Sequence, residues 1–234
     1  MNPFGRTLKF TLAYDGTHFV GWQRQKSGRT VQAVLEAALK QLTGKPVPVT
    51  GAGRTDSGVH ALGQAAHAKV ATRLSLSEIR KALNAILPED VLIRSVMIAP
   101  TRFHARYSAK SKWYRYQIWN NPVRPLFGRE RMYYLSDRLD LAAMRRAARK
   151  ISGKRDFKKF QSSGGSVRST VRRVRLTLKK EGPLITLDAR GDGFLYHMVR
   201  RIAGHLLEIG KGKPAPAIAP TAPARGLSLV EVRY

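Results

Sequence analysis

Residues 51–64, GAGRTDSGVHALGQ, place one carboxylate among side chains that can control its chemistry. Asp56 has Arg54 two residues before it, His60 four residues after it and glycines on both sides. A carboxylate held in this way can serve as a nucleophile. Asp, Ser and Gly are also common turn residues, because they satisfy local backbone groups or allow unusual backbone angles. The stretch alone leaves a catalytic acid and a simple turn equally open.

The charge of the chain indicates a polyanionic partner. The 234 residues include 43 Lys and Arg against 15 Asp and Glu, a formal net charge of +28. Residues 101–180 alone hold 23 Lys and Arg against 4 Asp and Glu. Nucleic acid phosphate is the usual partner of such a density of positive charge. An anionic membrane surface is less favoured, because no strongly basic amphipathic helix with a Trp or Phe face is found.

Composition predicts a folded cytoplasmic protein. Apolar residues make up 43% of the chain and charged residues 25%, which is typical of a globular protein. We find no signal peptide and no apolar run near the roughly 20 residues that cross a bilayer. Zero cysteines exclude a disulfide framework and a thiolate metal site, and this fits the cytoplasm.

Hydrophobic periodicity predicts two α+β halves, each with a sheet covered by helices on one face. Thr30 and a Ser75–Glu78 capping box mark two helix starts. The predicted helices are 31–43, one from residue 75 to before Pro88, 140–152 and about 195–209. The predicted strands are 7–14, 47–50, 64–70, 91–98, 112–119, 171–179, 184–190 and 226–233. We place the division between residues 1–104 and 105–234, and interpret the Pro/Ala-rich stretch 211–225 as a loop.

The sequence gives little support to several other kinds of catalytic site. No Gly-Lys-Ser/Thr follows a glycine run, so nucleotide hydrolysis is disfavoured. Asp56-Ser57-Gly58 resembles the aspartic protease motif, but that site needs a second Asp of the same kind. The six histidines show no tight metal-ligand spacing, and Asp56, Asp188 and Asp192 are too scattered to predict a two-metal nuclease.

Aromatic residues lie among the basic ones. In the strand KWYRYQIW, residues 112–119, Tyr114 and Tyr116 share one face and Trp113 the other. We interpret Tyr116 as a core residue, whereas Tyr114 can be a core residue or stack on a base. The helix in FLYHMVRRIAGHLLEIG, residues 194–210, carries Arg200 and Arg201 near its middle. Such an arginine faces solvent, binds phosphate or pairs with Asp56.

Five motifs together resemble the bacterial tRNA pseudouridine synthase A family along nearly the whole chain. They are YDGTHFVGWQRQ, GRTDSGVHALGQ, FHARYSAKSKWYRY, FLYHMVR and TAPARGLSLVEVRY. The resemblance implies an α+β pseudouridine synthase fold of two related α/β halves, with mostly antiparallel sheets and a catalytic cleft between them. It also implies a homodimer without cofactor or metal. The implied reaction is isomerisation of uridine to pseudouridine at positions 38, 39 and 40 of the tRNA anticodon stem-loop.

The same resemblance assigns roles to particular residues. Asp56 matches the nucleophile, and Tyr114 matches a residue that contacts the target uracil. Arg200 matches the basic residue that pairs with the catalytic Asp. Leu227 stands where the family has an apolar residue under the base, and Arg54 matches a position that holds the flipped nucleotide.

The chain departs from the family pattern in one segment. Between FLYHMVR and TAPARGL the family has a longer helical stretch, and here KGKPAPAIAP is shorter by about ten residues. The departure bears on tRNA or dimer contacts and leaves the catalytic set intact. The alternative function is a tRNA- or rRNA-binding protein without catalysis, in which Asp56 is only a turn residue. A direct assay for pseudouridine distinguishes the two.

Overall fold

The computed structural model describes residues 5–165 and 167–234, which form two compact units. The first unit extends to Lys110 and includes the C-terminal residues Leu229–Tyr234. The second unit is Ser111–Ser228. The domain division after residue 104 stays a prediction.

The first unit contains an antiparallel sheet and two helices. The strand order is β4-β1-β3, and β2 pairs with β3 on the same sheet. The elements are β1 (Arg6–Tyr14), α1 (Val31–Thr43), β2 (Thr50–Gly51), β3 (His60–Val70), α2 (Leu76–Ile86) and β4 (Val91–Ile98). This order of elements follows the prediction closely.

Capping residues determine where the two helices of the first unit begin. The Thr30 side chain accepts a hydrogen bond from the Ala33 backbone N–H at 3.3 Å, as predicted. Ser75 and Glu78 form the predicted capping box, with bonds of 3.3 and 2.7 Å. Gly44 ends α1 in the left-handed conformation with φ 73°.

The core of the first unit follows from alternation in β1. Leu8, Phe10, Leu12 and Tyr14 are buried along one face of the strand. Buried leucines and isoleucines of the helices complete this core, and α2 packs against both α1 and β4. The alternating pattern read from the sequence is therefore confirmed.

The second unit contains a four-stranded antiparallel sheet in the order β5-β9-β8-β7. Strand β6 pairs with β5 in parallel. The elements are β5 (Ser111–Asn120), β6 (Tyr133–Leu135), α3 (Leu141–Ile151), β7 (Gly153–Asp156), β8 (Val171–Glu181), β9 (Leu184–Gly191), α4 (Met198–Gly210) and β10 (Leu227–Arg233). Helix α3 packs on α4 and β8, and α4 packs on β5. From Leu229 onward, β10 lies beside β3 in the first unit.

The α+β class and the mostly antiparallel pairing are confirmed. Four details differ from the prediction. Strand β3 begins at His60 and not at residue 64. Strand β2 has two residues instead of a run over 47–50, and the short strands β6 and β7 were not predicted. All four residues of β7 are exposed, so its sequence has no apolar alternation to reveal it. Helix α4 begins at Met198, which places Arg200 and Arg201 in its first turn and not near its middle.

No helix within residues 5–165 and 167–234 has the length and apolar composition that crossing a bilayer requires.

Candidate active site

Asp56 lies in a tight turn between β2 and β3 of the first unit. Its carbonyl oxygen accepts a hydrogen bond from the Val59 backbone N–H at 3.1 Å. Gly58 sits inside the turn with φ 74°, a conformation that favours glycine. The Asp56 side chain is half-buried. Asp56 therefore lies in a turn, as both interpretations expected, and the turn fixes the backbone of the candidate nucleophile.

The segment 19–22 braces this turn through backbone contacts. The Gly58 N–H donates to the Phe19 carbonyl at 3.2 Å, and the Trp22 N–H donates to the Thr55 carbonyl at 3.1 Å. Gly21 has φ 102°, and a Cβ atom there would lie 2.6 Å from the Thr55 carbonyl oxygen. Only glycine permits this approach, so the motif GWQRQ holds the motif GRTDSG in place.

Buried side chains anchor the turn to the sheet behind it. The Thr55 hydroxyl lies 2.8 Å from the Tyr14 hydroxyl of β1. Gln64 of β3 donates to the Gly53 carbonyl at 2.9 Å. Burial raises the pKa of Tyr14 to about 12, because the charged phenolate is disfavoured away from water, and the phenol therefore stays neutral. Two strands therefore fix the segment just before Asp56: β1 holds Thr55 and β3 holds Gly53.

Arg54 is exposed and is oriented by a chain of amide side chains. Its Nε donates to the Gln23 side-chain oxygen at 3.2 Å. Gln23 in turn donates to the Gln32 side chain of α1 at 2.8 Å. The guanidinium keeps further N–H donors for a phosphate or a nucleotide. Sequence reasoning missed Gln23, since nothing in the spacing of the two motifs shows that they meet.

Tyr114 and Tyr116 lie on the buried face of β5 in the second unit. Tyr114 is 7% exposed, and its ring meets Phe194 edge-on at 5.1 Å. Tyr116 is fully buried, and its hydroxyl donates to the Pro223 carbonyl at 2.9 Å. Burial raises the pKa of Tyr116 well above its usual value. The core interpretation of Tyr116 is confirmed, and Tyr114 is buried beside Phe194 of the FLYHMVR motif.

Arg200 joins two of the recognised motifs within the second unit. Its Nε donates to the Ala222 carbonyl at 2.8 Å, and its own carbonyl accepts from the Ala222 N–H at 3.1 Å. Ala222 belongs to TAPARGL, in which Leu227 is buried. Gly226 approaches Tyr116 so closely that a Cβ atom would lie 2.6 Å from the ring. FLYHMVR and TAPARGL are therefore held together by hydrogen bonds and close packing.

The predicted site residues divide between the two units. Asp56 and Arg54 belong to the first unit, whereas Tyr114, Arg200 and Leu227 belong to the second. Their catalytic and binding roles stay predictions. In the described parts of the chain, no group of three His, Cys, Asp or Glu side chains is placed to hold a metal ion.

Comparison with known proteins shows the family to which the chain belongs. A family model described as tRNA pseudouridine synthase matches residues 11–108 and 147–221. The chain belongs to the tRNA pseudouridine synthase family, which confirms the resemblance. It is 46% identical to tRNA pseudouridine synthase A of Moorella thermoacetica, over 97% of this chain and 99% of that protein. It is 43% identical to the protein of the same name from Ruminiclostridium cellulolyticum, over 98% of this chain and 100% of that protein.

Proposed function

We propose that this protein converts uridine to pseudouridine at positions 38, 39 and 40 of the tRNA anticodon stem-loop. Asp56 is the nucleophile. The observation that carries the proposal is the family membership of nearly the whole chain together with the Asp of GRTDSG on a rigidly braced turn. The net charge of +28 fits an RNA substrate.

The reaction exchanges bonds without net oxidation or reduction. The bond between uracil N1 and the ribose carbon breaks, the base turns, and C5 joins the same carbon. A proton leaves C5 and N1 ends as N–H, so atoms balance without a cofactor or metal. The protein must supply a nucleophile, a proton acceptor and a closed site that holds the detached base.

The other site residues take supporting roles in this proposal. Arg200 supplies a guanidinium that pairs with the Asp56 carboxylate and orients it with its planar set of N–H donors. Tyr114 contacts the uracil, and the apolar Leu227 lies under it. Arg54 holds the nucleotide once it has left its stack, which offsets part of a cost of a few kcal/mol.

Two further properties belong to the proposal. The protein acts in the cytoplasm, where its substrate is found, and it works as a homodimer. Sedimentation equilibrium tests the oligomeric state directly. A mass equal to one chain of 26.1 kDa at the concentrations used for catalysis would remove the dimer from the proposal.

The deciding experiment uses unmodified tRNA transcripts carrying tritium at uracil C5. Pseudouridine formation releases that hydrogen to water, and mass spectrometry of nuclease fragments identifies the modified positions. Three transcripts with uridine at only one of positions 38, 39 and 40 test each position separately. Asp56→Asn is the matched control, since it keeps the size of the side chain and removes its charge.

Each outcome of this assay has a distinct meaning. Tritium release and modification at the three positions would support the proposal. Modification elsewhere would overturn the positions and retain the chemistry. Tight tRNA binding without any pseudouridine would instead favour the non-catalytic RNA-binding function.

A further inference from the structure

The sheet of the second unit has two unlike faces. One face of β5, β8 and β9 carries buried apolar side chains, such as Tyr116, Leu176 and Leu187. Apart from the buried Asp188, the opposite face is exposed or half-buried and strongly basic. We call it the open face and define it by Trp113 and Arg115 of β5, Arg173 and Arg175 of β8, and Asp188 and Arg190 of β9.

The strand register sets charges side by side on the open face. Arg190 lies directly opposite Trp113 on one side and opposite Arg175 on the other. Residues opposite each other in antiparallel strands have Cβ atoms about 4.5–5.5 Å apart, and like charges at such positions destabilise a sheet. The unit therefore maintains a repulsive arrangement that a bound polyanion would relieve.

Asp188 of β9 fixes the two neighbouring side chains of β5 on the open face. Its Oδ1 accepts hydrogen bonds from the Trp113 indole N–H at 2.9 Å and from Arg115 Nε at 2.8 Å. Its Oδ2 accepts from a second Arg115 nitrogen at 3.0 Å. Burial alone would raise the pKa of the Asp188 carboxyl, but the bonds from Arg115 and Trp113 hold it below its usual value. The carboxylate thus fixes the indole plane and one guanidinium.

The fixed indole supports Arg190. The guanidinium carbon of Arg190 lies 4.1 Å from the centroid of the Trp113 ring. An arginine stacked on an aromatic face gains a cation–π attraction and keeps its N–H donors at the edge of its plane. Less side-chain freedom remains to be lost when Arg190 binds an anion. The contact with Trp113 consequently restricts the Arg190 side chain.

We propose that the open face binds phosphate groups of the tRNA backbone. Arg173, Arg175 and Arg190 are the phosphate ligands, and Trp113 is a positioning residue that acts through Arg190. This inference rests on the proposed function in taking tRNA as the substrate, and it adds a backbone-binding surface to the uridine site.

Charge complementarity identifies the partner. In the described part of the second unit, no carboxylate forms an ion pair with Arg173, Arg175 or Arg190, and Asp188 is engaged with Arg115. A second copy of the chain would bring the same cations against this face and would be repelled. Phosphates carry the opposite charge at close spacing, and arginine matches their geometry with paired N–H donors.

The test measures tRNA affinity as a function of salt. All variants are made in the Asp56→Asn chain so that no turnover occurs during titration. The variant Arg175→Gln/Arg190→Gln removes two charges from the open face. Arg146→Gln/Arg149→Gln removes two exposed arginines from α3 of the same unit and serves as the matched control.

Each neutralised phosphate contributes about 0.7 to 0.9 to the slope of log K against log salt. We therefore expect the Arg175→Gln/Arg190→Gln variant to lose about 1.4 to 1.8 from this slope. The control variant should lose much less. An unchanged slope in the open-face variant, or an equal loss in both variants, would overturn the inference. Circular dichroism melting curves verify that all variants are folded.

The positioning role of Trp113 needs a separate readout. Trp113→Leu removes the aromatic support and should weaken tRNA binding by about two- to five-fold, the strength of an exposed cation–π contact. In a chain that already carries Arg190→Gln, the same change should have little effect. An equal loss in both backgrounds would show that Trp113 acts only through the stability of the sheet and would overturn its role.

Failure of this inference differs from failure of the proposed function. Tritium release by the chain with Asp56 intact reports the isomerisation alone. If that chain forms pseudouridine and the open-face variant keeps its salt slope, only the open face loses its role. If the Asp56→Asn chain binds no tRNA, the substrate assignment and the open face are both overturned.

Discussion

The turn around Asp56 and the open face of the second unit are built by opposite means. The turn is held by backbone contacts, in which Gly21 brings one segment against Thr55 and leaves no room for a Cβ atom. The open face is a regular sheet surface whose proposed tRNA binding depends on side-chain charge. Chemistry at a single atom requires fixed geometry, whereas binding an extended polyanion requires charge density.

The two regions also leave different traces in the sequence. A backbone-held turn demands particular residues at particular places, so it is visible as a motif rich in glycine. A charged surface can place its basic residues at different positions, so it leaves no motif. In this sequence it is visible only as the excess of Lys and Arg over residues 101–180. If geometry and charge are separable in this way, changes in the turn should affect the reaction, whereas changes in the open face should affect tRNA affinity.

Asp56→Asn should abolish pseudouridine formation to below detection while the chain still folds and binds tRNA. The amide has nearly the size of the carboxylate but lacks its nucleophilic charge. Tritium release measures the reaction, and filter binding measures the affinity for tRNA.

Ser57→Ala is the control for disturbance of the turn, because the Ser57 hydroxyl donates to the Phe19 carbonyl at 3.3 Å and is not a candidate for catalysis. It should retain most of the activity. Residual turnover by Asp56→Asn at a measurable rate would contradict the nucleophile assignment and would show that the region provides geometry without chemistry.

How far the sequence predicts this molecule depends on the range of the interactions involved. Helix α1 and strand β4 were predicted with the bounds that the structure has, because caps and alternation are local signals. Strand β7, GKRD, was missed because it has no apolar residue to alternate with. Local sequence patterns therefore predict the helices and strands that bury one face. They miss a strand that pairs with its neighbour without burying a face.

The candidate site shows the same limit. Asp56 and Arg54 stand out in a motif, but their braces come from residues 19–23, which no local rule connects to them. Asp188 was considered only as a scattered carboxylate of a nuclease. In the structure it pairs with Arg115, a partner 73 positions away in the chain. Tertiary contacts of this kind depend on strand register, which sequence patterns of one strand do not determine.

If Arg200 pairs with Asp56 as proposed, Arg200→Ala should reduce turnover on the order of 100-fold or more, because a fixed guanidinium beside a reacting carboxylate acts through preorganised electrostatics. Arg200→Lys should recover part of the activity, since lysine keeps the charge without the planar fork. Single-turnover rates with saturating enzyme measure the chemical step apart from binding.

The control is Arg201→Ala, in the same turn of α4, whose guanidinium donates to the backbone carbonyl of Ala219 at 3.0 Å. Loss of that bond should lower stability more than the rate of the folded enzyme. If Arg200→Ala weakens tRNA binding and leaves the single-turnover rate intact, then Arg200 is a phosphate ligand and belongs with the charge of the second unit.

Tyr114→Ala should slow product formation by about 10- to 100-fold, the range that loss of a base-stacking ring produces. Tyr114→Phe keeps the ring and its edge contact with Phe194, so it should retain most of the activity if the ring alone contacts uracil. Rates of tritium release for the two variants at equal tRNA occupancy make the comparison. A loss in Tyr114→Phe as large as in Tyr114→Ala would assign proton transfer to the hydroxyl, and full activity in both would remove Tyr114 from the site.

Gly21→Ala tests the geometry of the turn most directly. Gly21 and Gly44 both have positive φ values, 102° and 73°, so alanine is strained at either position. At Gly44 a Cβ atom would meet nothing within 4 Å, whereas at Gly21 it would lie 2.6 Å from the Thr55 carbonyl oxygen. Overpacking of this kind typically costs about 1–3 kcal/mol beyond the strain itself. We therefore expect Gly21→Ala to lower the free energy of unfolding by about that much more than Gly44→Ala, as measured by urea denaturation.

Activity of the folded fraction should fall only in Gly21→Ala, because the displaced Thr55 carries Asp56 with it. Equal losses of stability in the two variants, with activity intact in both, would show that the backbone contact does not hold the turn.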